Sequence, residues 1–269
     1  MARIFITGSA DGLGQLAARN LVALGHDVVL HGRNRDRAQH AMRAVPGART
    51  ALEGDLASIE QTRALAQQAN AAGPFQAIIH NAGVYRPSAG RRETVDGLDD
   101  VFAVNALAPY LLTALIEGPP RLIYLTSGMH QGGDPDLRDL GWRQQRWNGS
   151  QAYANSKLFD VVLAFAVARL WPHVLSNAVD PGWVPTKMGG PSAPDDPEQG
   201  VATQVWLAVS DERGANVSGR YFYHKRTRAA HPAASDVTVQ NGFLATCEQL
   251  TGVRLASVGG VVARSNTKE

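Results

Sequence analysis

Tyr153 and Lys157 stand four positions apart in Tyr153-Ala154-Asn155-Ser156-Lys157, at the start of a long helical pattern. Residues at i and i+4 share a helix face, so the ammonium can stand near the phenol. A free tyrosine, with a pKa of about 10, is a poor acid or base at neutral pH. An opposite charge within ~4–6 Å lowers an acid by roughly 1–3 units, which predicts a phenol brought into working range. Alone, the pair could equally be a surface phenol and ammonium; two further residues argue against that. Ser127 follows the apolar run Tyr124-Leu125-Thr126, where its hydroxyl can donate to a substrate carbonyl. Asn105 lies inside the apolar stretch Val101–Ile116, where an amide is costly unless it bonds backbone or water.

A second group of residues suits phosphate binding. Thr7-Gly8-Ser9-Ala10-Asp11-Gly12-Leu13-Gly14 follows the first strand-like run and opens the first helical pattern. Gly8 allows the tight turn, Gly12 lets a pyrophosphate approach the backbone, and Gly14 lets helix and sheet pack closely. The free N–H groups of the helix start, with Ser9, Asp11 and Leu13 among them, complete the anion site. A glycine triple alone is weak; its place between first strand and first helix gives it weight. Leu30-His31-Gly32-Arg33-Asn34-Arg35 closes the second strand without the carboxylate that grips a ribose 2′-hydroxyl, and Asp27 comes too early. Arg33 offers a cationic fork suited to a 2′-phosphate, with Arg35 and His31 as weaker candidates, so NADP(H) is preferred over NAD(H). Asp11, an anion beside the expected phosphates, argues the other way unless it points outward. Asp55, before Leu56, can accept from an adenine amino group or cap the following helix. Asn81-Ala82-Gly83 lets the backbone pass close to a cofactor.

The elements that must position these groups alternate from the first residue. Strand patterns at Arg3–Thr7, Asp27–Leu30, Arg49–Glu53, Ala77–His80, Arg121–Thr126, Val174–Val179 and Arg220–Tyr223 are separated by helical patterns. These are Leu13–Leu24, Arg35–Val45, Ile59–Ala71, Leu98–Ile116, Gln151–Leu170 and Pro197–Ala208. The alternation predicts an α/β fold: a single doubly wound Rossmann domain over residues 1–269 with a mostly parallel seven-stranded sheet. Long segments at 83–97, 128–149 and 181–197 follow strands, which puts them at the carboxyl edge where ligands bind. The last two read as substrate loops.

Composition narrows the classes. The chain has 269 residues, of which 44% are hydrophobic and 19% charged, as in a globular protein with a sizeable core. A net charge of +2 argues against a dedicated nucleic-acid partner, despite short basic runs at His31–Arg37 and His224–Arg228. Cys247 is the single cysteine, so an intrachain disulfide is excluded, and no Cys/His cluster has metal-ligand spacing. No secretory run opens the chain, and Asn105, Pro109 and Thr113 interrupt its longest apolar stretch, so no membrane association and a cytoplasmic location are expected.

Taken in order, Thr7-Gly8…Gly12…Gly14, Asp55, Asn81-Ala82-Gly83, Asn105, Ser127, Tyr153…Lys157 and Pro181-Gly182 resemble the short-chain dehydrogenase/reductase family in its single-domain form. The resemblance implies a tetrad in which Asn105 holds a helix kink and a relay water and Ser127 polarises a carbonyl. Tyr153 would transfer the proton, and Lys157 would lower its pKa and bind the nicotinamide ribose. Asp180-Pro181-Gly182-Trp183-Val184-Pro185-Thr186 is similar to the family loop over the nicotinamide, which makes Val184 and Thr186 carboxamide contacts. Twenty-six positions separate Ser127 from Tyr153, about twice the commoner family spacing. With Arg33-Asn34, this long insert resembles the branch of retinol dehydrogenases and protochlorophyllide reductases, which implies NADP and bulky apolar substrates. The implied reaction is hydride transfer between NADP(H) and a carbonyl or secondary alcohol of an apolar, ring-containing small molecule. Loop position makes Val84, Tyr85, Met129, His130, Trp142, Trp147, Trp183 and Met188 candidates for the substrate pocket. A non-catalytic NADP sensor on the same fold is the alternative, and the resemblance leaves a homo-oligomer open.

Overall fold

Apolar runs without polar alternation become strands covered on both faces. The computed structural model describes residues 1–256; residues 257–269, included in the expected domain, lie outside the described residues. The strands are β1 (Arg3–Ile6), β2 (Asp27–Gly32), β3 (Thr50–Glu53), β4 (Ala77–His80), β5 (Arg121–Leu125), β6 (Leu175–Asp180), β7 (Arg220–Tyr223) and β8 (Arg226–Arg228). They form one sheet in the order β3-β2-β1-β4-β5-β6-β7-β8. Neighbours from β3 to β7 are parallel, and β8 returns antiparallel to β7.

Among the described residues the expected seven strands are therefore eight. His224 and Lys225 join β7 to β8 with φ of 47° and 59°, a two-residue turn in the left-handed region. Glycine or asparagine normally marks such a turn, and β8 is an exposed Arg-Thr-Arg with no apolar side to give it away.

Helices cover both faces: α1 (Gly12–Ala23), α2 (Arg35–Ala44) and α7 (Pro197–Val209) on one, and α3 (Ile59–Ala72), α5 (Ala108–Leu115), α6 (Gly149–Leu170) and α8 (Val237–Thr251) on the other. Ile4 and Ile6 of β1 pack towards the first group, and Phe5 between them packs towards the second. The expected helix Leu98–Ile116 is divided. A short α4 (Asp100–Phe102) leads into a π-helical segment, Ala103–Leu107, before α5. The widened turn carries Asn105, whose amide reaches across to the loop after β4. The chain order reverses between β1 and β4, which opens a crevice at their carboxyl ends.

Candidate active site

A cleft of about 910 Å³ occupies that crevice, with the turn after β1 on one wall and residues 181–188 on the other. Gly8 adopts φ +63°, and a Cβ there would lie 2.8 Å from the Ala82 Cα. A Cβ on Gly14 would run into the Asn81 amide and lie 2.6 Å from the Gly8 carbonyl. Asn81 braces this turn by donating from Nδ2 to the Thr7 carbonyl at 2.9 Å and the Gly8 carbonyl at 3.2 Å. Thr7 Oγ1 in turn accepts from the Asn81 and Ala82 N–H groups. Gly8, Gly12 and Leu13 line the cleft, whereas Ser9 is buried behind it, accepting the His31 N–H at 2.8 Å.

His31 was a candidate phosphate ligand, but both its ring nitrogens are already used. Nδ1 accepts the Gly8 N–H at 2.9 Å and Nε2 meets the Gly54 carbonyl at 2.9 Å. Burial pushes its pKa down to about 4, so at neutral pH it is an uncharged brace. Arg33 is exposed on the cleft wall, while Arg35 is exposed beside it on α2. Asp11 bridges two cations, Arg37 of α2 at 2.6 Å and Lys187 at 2.9 Å. Burial works against its ionisation, but Lys187 and Arg37 hold the carboxyl below the usual range. Asp55 lines the cleft with Leu56 and accepts the Ala57 N–H at 3.0 Å; the α3 cap itself is Ser58.

Tyr153 and Lys157 lie on the first turns of α6, which is capped by Asn148, whose side chain accepts the Gln151 N–H at 3.1 Å. Both line the cleft. The Tyr153 ring rests on Tyr85 with centroids 4.5 Å apart, and its hydroxyl faces the Met188 sulfur at 3.9 Å. Lys157 Nζ donates to the Leu125 carbonyl at 2.7 Å and to Asp160 Oδ2 at 2.8 Å, and stands 5.8 Å from the Tyr153 ring centre. Gly83 lies beside the ammonium, and a Cβ there would sit in ordinary contact, 3.5 Å from both Nζ and Asn105 Oδ1.

Asn105 accepts the Val84 N–H at 2.7 Å and donates to the Val84 carbonyl at 3.0 Å and to Ser156 Oγ at 2.9 Å. Ser127 follows β5 beside the phenol, with its hydroxyl accepting the Met129 N–H at 3.2 Å. One expectation reverses: the phenol is raised, not lowered. Burial raises it, the Lys157 ammonium lowers it, Asp160 pushes back up, and burial prevails.

The loop candidates divide. Met188, Val84, Pro181 and Thr186 line the cleft, and Tyr85 adjoins it through the Tyr153 ring. His130 is fully buried, with Nδ1 on the Ser127 carbonyl at 2.8 Å and Nε2 accepting the His231 N–H at 3.3 Å, so it braces the loop instead of facing a ligand. Trp142 is buried with Val101 and Ala152 behind Tyr153, and its partner Trp147 donates to the Ala89 carbonyl at 2.8 Å. Trp183 points to solvent and donates to the Gly189 carbonyl, and Met129 is exposed away from the cleft lining. Val184 is buried against Gly200, while Gly182 turns the chain with its N–H on Asp180 Oδ1 at 2.9 Å.

Arg37, Lys187 and Asp160 were not singled out from the sequence. Asp160 did leave a signal, a lone acid among Leu158, Phe159, Val161 and Val162. Among the described residues, no group of three His, Cys, Asp or Glu is placed to hold a metal, and no helix is long and apolar enough to cross a membrane. The donor set fits a dinucleotide: a turn stripped of side chains at Gly8 and Gly12, cations at one end, and an ammonium beside a phenol at the other.

The family model for short chain dehydrogenase matches residues 2–118. The chain is 46% identical to an uncharacterized oxidoreductase of Emericella nidulans, over 94% of this chain and 98% of that one. It is 30% identical to retinol dehydrogenase 13 of Homo sapiens, over 95% of this chain and 86% of the relative. A solved structure from Mycobacterium paratuberculosis, 24% identical, shares the fold with a TM-score of 0.82 over 95% of both chains.

Proposed function

Because the chain belongs to the short-chain dehydrogenase/reductase family of oxidoreductases, with retinol dehydrogenases among its relatives, we propose that it is an NADP(H)-dependent carbonyl reductase. Its substrate would be the carbonyl, or in reverse the secondary alcohol, of an apolar ring-containing small molecule. The observation that carries the reading is Tyr153 and Lys157 side by side on the floor of the cleft, below a phosphate-type turn.

The cofactor, when bound, supplies or accepts the hydride. Tyr153 Oη hands its proton to the carbonyl oxygen, and Ser127 donates a hydrogen bond to the same oxygen. Lys157, fixed by the Leu125 carbonyl and Asp160, has one N–H left for a ribose hydroxyl. Asn105 holds the Val84 backbone under this group. Acid catalysis of this kind contributes about 10²–10⁴-fold. The preference for NADP rests on Arg33 and on the absence of a carboxylate at the end of β2. It gains from Asp11, whose charge is taken up by Arg37 and Lys187. Val84, Met188 and the Tyr85 ring favour an apolar substrate. We read the chain as one cofactor-binding domain acting on a small molecule in the cytoplasm, without nucleic acid or membrane as partner.

Fluorescence titration with NADPH and NADH, followed by a panel of ketones and aldehydes, tests both parts. Tyr153→Phe is expected to bind NADPH as wild type does and to lose turnover by about 10³-fold or more. An unchanged kcat on a true substrate would remove Tyr153 from the mechanism. NADPH binding with no turnover of any carbonyl would favour the non-catalytic sensor.

A further inference from the structure

Asp160 lies on α6 three positions after Lys157, and both side chains are almost fully enclosed, at 3% and 5% exposure. Its chain neighbours Phe159 and Val161 are wholly buried and apolar. An ionised carboxylate in such a place loses its hydration at a high cost unless a charge answers it. Among the described residues, its hydrogen-bond partner is the Lys157 ammonium at 2.8 Å. The cation assigned to lower the proton affinity of Tyr153 is thus half of a buried ion pair.

We propose that Asp160 is a positioning residue for proton transfer: it fixes Lys157 below Tyr153 and offsets its charge, so that the phenol enters the reaction protonated, as carbonyl reduction requires. Lys157 alone would present a full positive charge to the phenol and favour phenolate. Paired with Asp160 it presents a dipole, whose effect falls off faster with distance.

The other groups facing Tyr153 do not reverse this. Asp180, at the end of β6, is a second anion and also favours the protonated form. Ser127 after β5 carries no charge, and the Tyr85 ring after β4 packs against the phenol. On the far side of Asp160, Tyr124 of β5 is an uncharged phenol bonded to Thr113, with the His80 ring stacked on it. Burial pushes Asp160 up and Lys157 pulls it back, and in the alkaline range where a phenol titrates the carboxyl is ionised.

The proposal rests on the reading of Tyr153 as proton donor, and its test is independent of turnover. With tyrosine labelled at 13Cζ and the Tyr153 signal assigned through Tyr153→Phe, the phenol is titrated in wild type and in Asp160→Asn, which keeps an oxygen for Lys157. The expected result is a midpoint lower in the variant by about one pH unit or more, a tenfold loss of proton affinity. Where a carbonyl substrate is in hand, the alkaline fall of kcat/KM moves down by the same interval. Coincident titrations would overturn the proposal even if the enzyme proves an active reductase. A shifted midpoint without any reductase activity would support the electrostatics and count against the proposed reaction. NADPH binding and thermal melting report folding; should Asp160→Asn fail, Asp160→Ser carries the same titration. Loss of the fold in both would make Asp160 a structural residue and overturn its role at Tyr153.

Discussion

Arg33 is exposed at the phosphate end of the cleft, whereas Arg37 and Lys187, which line the same cleft, are engaged with Asp11. A charge-assisted contact of this type is worth about 1.5–3 kcal/mol, or roughly 10–100-fold in affinity. Arg33→Ala is therefore expected to weaken NADPH binding by that factor and to leave NADH binding unchanged, as read by fluorescence titration. Asn105→Ala would strip partners from both the N–H and the carbonyl of Val84, at about 1–3 kcal/mol for each group left unpaired. Urea denaturation should show that loss whatever happens to activity. The residues that were legible in the sequence share one property: their spacing or chain position alone fixes where they point. Tyr153 and Lys157 follow helix geometry, and Gly8 and Arg33 follow strand ends. His130 and Trp142 were misplaced because the fate of a loop side chain depends on distant partners, here His231 for one and Val101 for the other.

Among the elements, the junction of α1 with the loop after β4 has little room. A Cβ on Gly14 would meet the Asn81 amide and the Gly8 carbonyl, both tied into the phosphate-type turn. Gly14→Ala is expected to cost about 1–3 kcal/mol by overpacking, measured by denaturation, together with weaker cofactor binding. Gly132→Ala, where a Cβ would meet open space, is the control and should stay within about 0.5 kcal/mol of wild type. Most parallel strands were readable because they are short apolar runs flanked by turn residues, as at Arg3–Ile6 and Ala77–His80. The π-helical turn at Ala103–Leu107 was not, since one extra residue in a turn leaves an apolar run apolar, and only the anomalous Asn105 hinted at it. β8 carries no apolar signal in the sequence, its Arg-Thr-Arg being exposed and paired antiparallel to β7.

Across the whole molecule, burial decides much of the acid response. His80 is 2% exposed, stacked on Tyr124, and burial alone drives its pKa down to about 3. In the unfolded chain a histidine takes up a proton near pH 6.5, which the folded protein refuses. The stability due to neutral His80 is complete above that pH and is lost as pH falls towards the folded value. Between pH 6.5 and 4.5, wild type should lose roughly 2–3 kcal/mol more than His80→Asn, seen as a steeper drop in urea midpoint. His31, held near 4 by its own burial, gives the same trend in both proteins. The β7–β8 turn has its effect at the sheet's margin. Arg226 and Arg228 project from the last strand into water. A second molecule laid edge to edge there would bring guanidinium against guanidinium before its peptide groups found partners, so this rim repels the lateral stacking from which fibres grow.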